Sequence, residues 1–301
     1  MAKVLFIGDP HHKYSNFDLG KSFLTWVNGF IRDNFDNIDV VVNLGDHFDT
    51  HGVVRSEVMT EYIKHVSYIT ETCEIPYLHL LGNHEMHKNG SYDYHVLQTM
   101  EHLQFDRYYA ISDSTHLFGM YFVPYVHDID DFPLDIKGTS GVVVAHQTFI
   151  GADYGYYRPG AGVDADKSVA DIIISGHVHK RQMFGKVIYP GTPFAQSAND
   201  INEVKGVMLF DTDTYEFNFV DCPMPQWKGL KINYSENTLS NISSLVPDCS
   251  KDHWVIEITG LKSEITAFLS ATAKKAFIKG KDIQFRVIHT DKKKAKIKID
   301  S

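Results

Sequence analysis

The sequence predicts a layered α/β fold, and three observations carry that prediction. Five apolar runs of strand length, rich in β-branched residues, recur along the chain: Lys3–Gly8, Asp39–Leu44, Ile75–Leu81, Gly141–Ala145 and Asp171–Ser175. Segments of helical period separate the first three, so strand and helix alternate as in a layered α/β domain. Each run also ends, on the same side, in a carboxylate, amide or imidazole. That is the edge at which strands of an open α/β sheet present groups to a ligand.

Taken in order, the first strand runs into Asp9-Pro10-His11-His12 and then a helix over Phe17–Phe35, where Phe23, Trp26, Val27, Phe30 and Ile31 repeat at core-facing spacing. The central strand stops at Gly45-Asp46-His47-Phe48-Asp49, and a helix from Val54 to Thr72 buries Met59, Ile63, Val66 and Ile69. The third strand delivers Gly82-Asn83-His84-Glu85, with a short helix expected near Tyr92–Leu103. After Tyr108 the rhythm changes to strands, and Leu117–Val126 is expected to enter a second sheet. Two buried strands then end in His146 and in Gly176-His177-Val178-His179. Gln182–Ile188 and Val207–Phe219 read as further strands joined through Tyr189–Phe194. Pro223-Met224-Pro225 marks a boundary between a domain of residues 1–222 and a module of residues 226–301. In that module Gly229–Tyr234, His253–Thr259, Lys281–Ile288 and Ala295–Ile299 read as strands, with a helix around Ser263–Ile278.

The strand ends together supply two Asp, one Asn and four His: Asp9, His11, Asp46, Asn83, His146, His177 and His179. Oxygen and imidazole donors in this mix suit manganese, iron or zinc. Seven donors exceed one tetrahedral ion but suit two ions, roughly 3.5–4 Å apart, that share a carboxylate and clamp a phosphoryl group during in-line displacement. A lone histidine near a strand end is more often packed or solvated, and His12, His47, His51, His79 and His87 are read that way.

Asp9-x-His11, Gly45-Asp46-x-x-Asp49, Gly82-Asn83-His84-Glu85, His146 and Gly176-His177-x-His179 resemble, in order, the five motifs of calcineurin-like metallophosphoesterases. The tail Tyr189-Pro190-Gly191-Thr192-Pro193, Lys205-Gly206 and Phe210-Asp211 narrows the resemblance to nuclease subunits of the SbcD and meiotic-recombination-eleven type, and to phage recombination endonucleases. This implies an α/β/β/α metallophosphoesterase sandwich with a small C-terminal α+β capping domain. It also implies two divalent metal ions, manganese first: Asp9, His11 and His179 on one, Asn83, His146 and His177 on the other, Asp46 bridging. A bridging water is then the nucleophile, and His84 donates to the phosphate or leaving oxygen. Asp49 departs from relatives that carry histidine there, and its expected role is to bond a neighbouring ligand. The implied activity is double-strand exonuclease and single-strand endonuclease action on DNA in break processing, with an SbcC-like coiled-coil ATPase as partner and a homodimeric assembly. No amphipathic helical run for docking that ATPase follows the capping module, so different docking, a longer chain or action alone all fit. The alternatives are a small-molecule phosphodiesterase or phosphatase on the same site, or a non-catalytic DNA-end tether.

Bulk properties fit a soluble enzyme. The 43% hydrophobic content supports a core, three cysteines form no disulfide framework, and neither a signal peptide nor a run of ~20 apolar residues is seen. A cytoplasmic location is expected. The net charge of −9 is uneven: residues 262–301 carry eleven Lys and Arg against four Asp and Glu, a balance of +7, which leaves −16 on the rest. The Lys292–Lys298 stretch could track a phosphate backbone or guard an edge strand. Between His146 and Asp171, Tyr154, Tyr156, Tyr157 and Arg158 sit in a Gly-, Pro- and Tyr-rich loop; each tyrosine alone reads as pinning the loop to the surface, and the loop as a whole as contacting a DNA strand.

Overall fold

A computed structural model describes residues 2–87, 93–135, 141–155, 157–235, 238–246, 251–271, 274–275, 278–279 and 282–290. Tyr156, the Lys292–Lys298 stretch, the expected strand Ala295–Ile299 and the expected helix start at Tyr92 lie outside these residues. The chain forms two compact units, one of Met1–Asn199 with Glu203–Met224 and one of Asp200–Asn202 with Pro225–Ser301.

The first unit contains β1 (Lys3–Ile7), α1 (Phe17–Asp33), β2 (Val40–Asn43), α2 (Ser56–Ser67), β3 (Tyr77–Leu80), α3 (Leu97–Glu101), β4 (Tyr108–Ile111), β5 (Thr115–Leu117), β6 (Met120–Val123), β7 (Val142–His146), β8 (Ile172–Gly176), β9 (Gln182–Phe184), β10 (Val187–Tyr189), β11 (Gly206–Asp211) and β12 (Phe217–Asp221). They build two six-stranded sheets, ordered β12-β11-β1-β2-β3-β4 and β5-β6-β7-β8-β10-β9. β1 to β4 run parallel, as do β6, β7, β8 and β10; the first sheet adds antiparallel strands on its β11-β12 side and the second adds one at each edge, β5 and β9.

Alternation along the strands explains the layering. Leu5, Ile7 and Val41 face α1 and α2, packing with Phe23, Val27, Tyr62 and Val66. Their neighbours Val4, Phe6, Val40 and Val42 face the second sheet and meet Phe122, Val142, Val144, Ile174 and Ile188. The outer face of the second sheet (Val143, Ala145, Ile173 and Val187) is covered by Phe132, Phe149, Ala152 and Val163. Among the described residues, those covering groups sit on loops and short 3-10 turns rather than on α-helices.

Three runs read as single strands are hairpins. Gln182–Ile188 turns at Gly185 (φ +53°), and the strand expected at Leu117 turns at Phe118-Gly119 (φ +50° and +75°). Val207–Phe219 turns after Asp211, whose Oδ1 accepts from the backbone N–H groups of Asp213 (2.9 Å) and Thr214 (3.2 Å). The helix of Val54–Thr72 begins at Ser56 and finishes in a π-helical turn over Tyr68–Thr72.

The second unit contains β13 (Trp227–Asn233), α4 (Thr238–Leu245), β14 (His253–Gly260), α5 (Lys262–Ser270) and β15 (Ile283–His289). Its strands are all parallel, in the order β13-β14-β15. Both helices contribute to one core, Ile242 and Val246 joining Ile265 and Phe268 over Ile256 and Ile258. α4 is absent from the sequence reading because its Leu239 and Ile242, continued by Val246 just past its end, are set among Ser and Asn, poor helix formers. Among the described residues, no helix is long and apolar enough to cross a membrane.

Phe122 is fully buried between the two sheets. Phe122→Ala is expected to destabilise the protein by about 3–5 kcal/mol, whereas Ile129→Ala, at a 37% exposed position, should stay within about 0.5 kcal/mol. Urea-unfolding midpoints of the two variants measure the difference.

Candidate metal centre

Parallel strands from both sheets end at one edge, and the segments that follow them leave the hydrogen-bond ladder by left-handed backbone. Asp9, His11, Asp46 and His177 have φ of +32°, +45°, +49° and +79°. Such angles are uncommon outside glycine, least so for Asp, Asn and His, and they cluster where the fold must aim a side chain. Two glycines allow the loops to close. Gly45 lies at φ +99°, where a Cβ would sit 2.6 Å from His146 Nδ1, and a Cβ at Gly82 would lie 2.3 Å from Asp46 Oδ1. Backbone bonds then tie the loops together, with His11 N donating to Asp46 O (3.0 Å) and His12 N to His47 O (2.7 Å).

The seven sequence-predicted donors are brought to this one place. His11 Nε2 faces His179 Nε2 at 2.9 Å. Asn83 Oδ1 faces His177 Nδ1 at 2.9 Å and His146 Nε2 at 3.3 Å. Asp46 Oδ2 lies between these groups, 3.3 Å from His146 Nε2 and 3.8 Å from His11 Nε2. Asp9 accepts the His177 backbone N–H on Oδ1 at 2.7 Å, while its buried Oδ2 has no hydrogen-bond partner. Two tight donor groups overlap here, Asp9 with His11 and Asp46, and Asp46 with His146 and His177. His146 donates Nδ1–H to Leu44 O at 2.6 Å, which aims Nε2 into the site.

The electrostatics describe a place built for cations. Burial pushes the Asp9 carboxyl up to about 7, against the pull of His146. Burial acts on Asp46 in the same sense, but His146 and His11 outweigh it and hold Asp46 well below the carboxylate range. Burial opposes charge on His146 too, yet Asp46 lifts it to about 9. Burial with His146 nearby lowers His177 to about 3, and burial with His11 nearby puts His179 well below the imidazole range. An orphaned buried carboxylate oxygen and facing imidazole nitrogens are a donor set that divalent metal fits.

Around the donors, sequence reasoning saw some groups and missed others. Asp49 sits with Oδ1 3.4 Å from His11 Nδ1 and 3.0 Å from Lys13 Nζ. The facing His11 ring, then Lys13, lower its pKa against partial burial. His84 donates its backbone N–H to Asp46 Oδ1 (2.8 Å) and its Nδ1–H to Asp49 O (2.6 Å). Glu85, in the motif but given no role, is fully buried beneath the site. Its Oε2 accepts from Asp46 N (2.7 Å) and Gly82 N (3.0 Å), and its Oε1 from Phe48 N (3.3 Å). Tyr125, also missed, places its ring 5.7 Å from that of His177.

Of the histidines set aside, His47 and His79 are core: His47 packs 4.2 Å from the Tyr62 ring, and the Tyr62 hydroxyl bonds His79. His12 is buried against Phe17, and His87 is exposed. His51 differs, since it stacks on His84 with ring centroids 4.3 Å apart. In the tyrosine loop, Tyr154 lies edge-on to His177 at 6.5 Å and stacks on Tyr157 at 5.0 Å. Arg158 is largely exposed, 3.9 Å from Asp153. Lys180 Nζ holds the same Asp153 at 2.6 Å and pins the loop beside the site.

The chain is 26% identical to candidate phosphoesterase 244L of Invertebrate iridescent virus 6, over 83% of the chain and 91% of that protein. It is 24% identical to candidate phosphoesterase 078R of Invertebrate iridescent virus 3, over 95% and 84%. Exonuclease subunit 1 of Enterobacteria phage T4 is 23% identical over 87% of the chain and 80% of that protein. The sequence profile of the calcineurin-like phosphoesterases matches residues 2–181, and the chain belongs to that family.

Proposed function

We propose that the protein is a two-metal-dependent DNA nuclease that hydrolyses phosphodiesters as a double-strand exonuclease and single-strand endonuclease in break processing and recombination. The observation that carries the DNA reading is the similarity to the phage exonuclease subunit, which extends over 87% of the chain. The hydrolytic reading rests on family membership and on the overlapping donor groups around Asp46.

In this reading Asp9, His11 and His179 hold one ion, Asn83, His146 and His177 hold the other, and Asp46 serves both. Asp46 Oδ2 lies within 4 Å of a histidine from each group, which supports the shared role. Manganese is the favoured ion, with zinc and iron compatible with the same donors. Bound there, the ions supply an activated water and neutralise charge on the phosphate. The chain's own contribution is positional. His84 gives Nδ1–H to Asp49 O, so that in the protonated ring Nε2–H is the donor toward the phosphate or the leaving oxygen. Asp49 Oδ1 faces His11 Nδ1 at 3.4 Å, a charge placed to favour the ring pose that aims Nε2 inward. Tyr154, Tyr157 and Arg158, with Tyr156 in the same loop, are proposed to contact the DNA strand, and the basic C-terminal residues its backbone. A coiled-coil ATPase of the SbcC kind and a second copy of the chain are the proposed partners, acting in the cytoplasm of a bacterial or infected cell. The balance of −16 outside residues 262–301 favours a second reading, a small-molecule phosphodiesterase.

Linear double-stranded DNA labelled at either end, incubated with manganese, tests the proposal. Wild type is expected to release labelled nucleotides, and His84→Ser to lose about 10²–10⁴-fold in rate. Turnover of a small phosphodiester without DNA cleavage would replace the nuclease reading with the small-molecule one. Because Glu85 accepts three backbone N–H groups with both oxygens, Glu85→Gln sets an amide N–H against a backbone N–H beside Asp46. Manganese affinity by titration calorimetry should fall about 10–100-fold. Unchanged affinity would show that Asp46 is positioned without Glu85.

A further inference from the structure

The segment after Asp46 does more than carry Asp49. Residues 49–52 wrap the Asn83-His84 dipeptide: Asp49 O accepts from the His84 ring at 2.6 Å, Gly52 N donates to His84 O at 3.1 Å, and His51 Nδ1 donates to Asn83 O at 3.3 Å. The His51 ring lies nearly parallel to that of His84, 4.3 Å between centroids and 21° between planes. His51 holds this pose from left-handed backbone, φ +41°, a conformation a non-glycine residue keeps when its surroundings fix it.

We infer that His51 is a positioning residue for His84, through the stacked ring and the bond to Asn83 O. A single hydrogen bond at Nδ1 leaves an imidazole free to rock about that bond. Stacking on one face removes that freedom and sets where Nε2 points. The second anchor ties the same ring to the backbone of Asn83, so the histidine proposed to meet the phosphate and the amide proposed to meet a metal move together. Flatness and a ring donor are both needed, and histidine supplies both. The inference deepens the nuclease reading and rests on its assignment of His84 to the phosphate.

The test separates the two. In protein labelled with ¹⁵N at the histidine rings, held at about pH 8.5, above the ordinary imidazole range, wild-type His84 is expected as one neutral tautomer with the proton on Nδ1. Loss of its signals in His84→Gln assigns them. In His51→Ala those signals should move toward the average of both tautomers. kcat for the DNA or small-phosphodiester substrate should fall about 10–100-fold, with KM and manganese affinity unchanged. His51→Phe, which keeps the stack, should recover part of both readouts, and its folding guards against a collapsed loop in the alanine variant. His84 signals in His51→Ala identical to wild type would overturn the inference. A tautomer change in a protein that hydrolyses no phosphodiester would keep the positioning role and remove the nuclease reading.

Discussion

Asp46 is the constraint on which the structure turns. Its carboxylate is nearly fully buried yet held well below the ordinary range, because burial is outweighed by the histidines on either side of it. A buried charge survives only when paired and hydrogen-bonded. Here its Oδ1 takes the His84 backbone N–H, its Oδ2 faces His146 and His11, and its own backbone N–H is given to Glu85. The segments after β1 and β3 and the end of β7 supply those partners. Removing the carboxylate therefore releases contacts with three of the strand-end loops at once.

Much of this was legible in the sequence because strand period and donor position are local properties. The runs at β1, β2, β3, β7 and β8 are apolar on both faces, as parallel strands buried on both sides must be. Their boundaries fall within a residue or two of the observed ones. The seven candidate donors were legible for a related reason: each lies at a strand end or within four residues beyond one, so the end of an apolar run locates it. What failed were turns inside apolar runs. Gly185, Phe118-Gly119 and Asp211-Thr212-Asp213-Thr214 reverse the chain over two to four residues without a proline or an Asn-Gly pair to mark them. α4 failed differently, since its stripe of three apolar residues is decided by β14 and by α5 rather than by its own composition.

The residues missed at the site share a different property: their roles depend on contacts between segments distant in sequence. Glu85 acts through the backbone of Asp46 and Phe48, His51 through the ring of His84, Tyr125 through the ring of His177. Sequence spacing contains none of these distances. His51 shows the limit well. As a lone histidine after a turn it is indistinguishable from His87, which is exposed, and from His47, which is core. Only the fold separates the three.

The two halves of the donor set come from different sheets, which makes the core between them part of the site. Asp9, His11, Asp46 and Asn83 follow strands of the first sheet, and His146, His177 and His179 follow strands of the second. The distance between the halves is thus set by how Val4, Phe6, Val40 and Val42 pack against Phe122, Val142, Val144 and Ile174. Interiors packed at crystal-like density transmit a lost methylene group rather than absorb it. The bond from His146 Nδ1 to Leu44 O crosses the same seam at its upper edge, where Gly45 and Gly176 leave no room for a Cβ. A substitution in that core, even far from any donor, therefore acts on the spacing of the Asp46 and His146 side chains as well as on the stability of the domain.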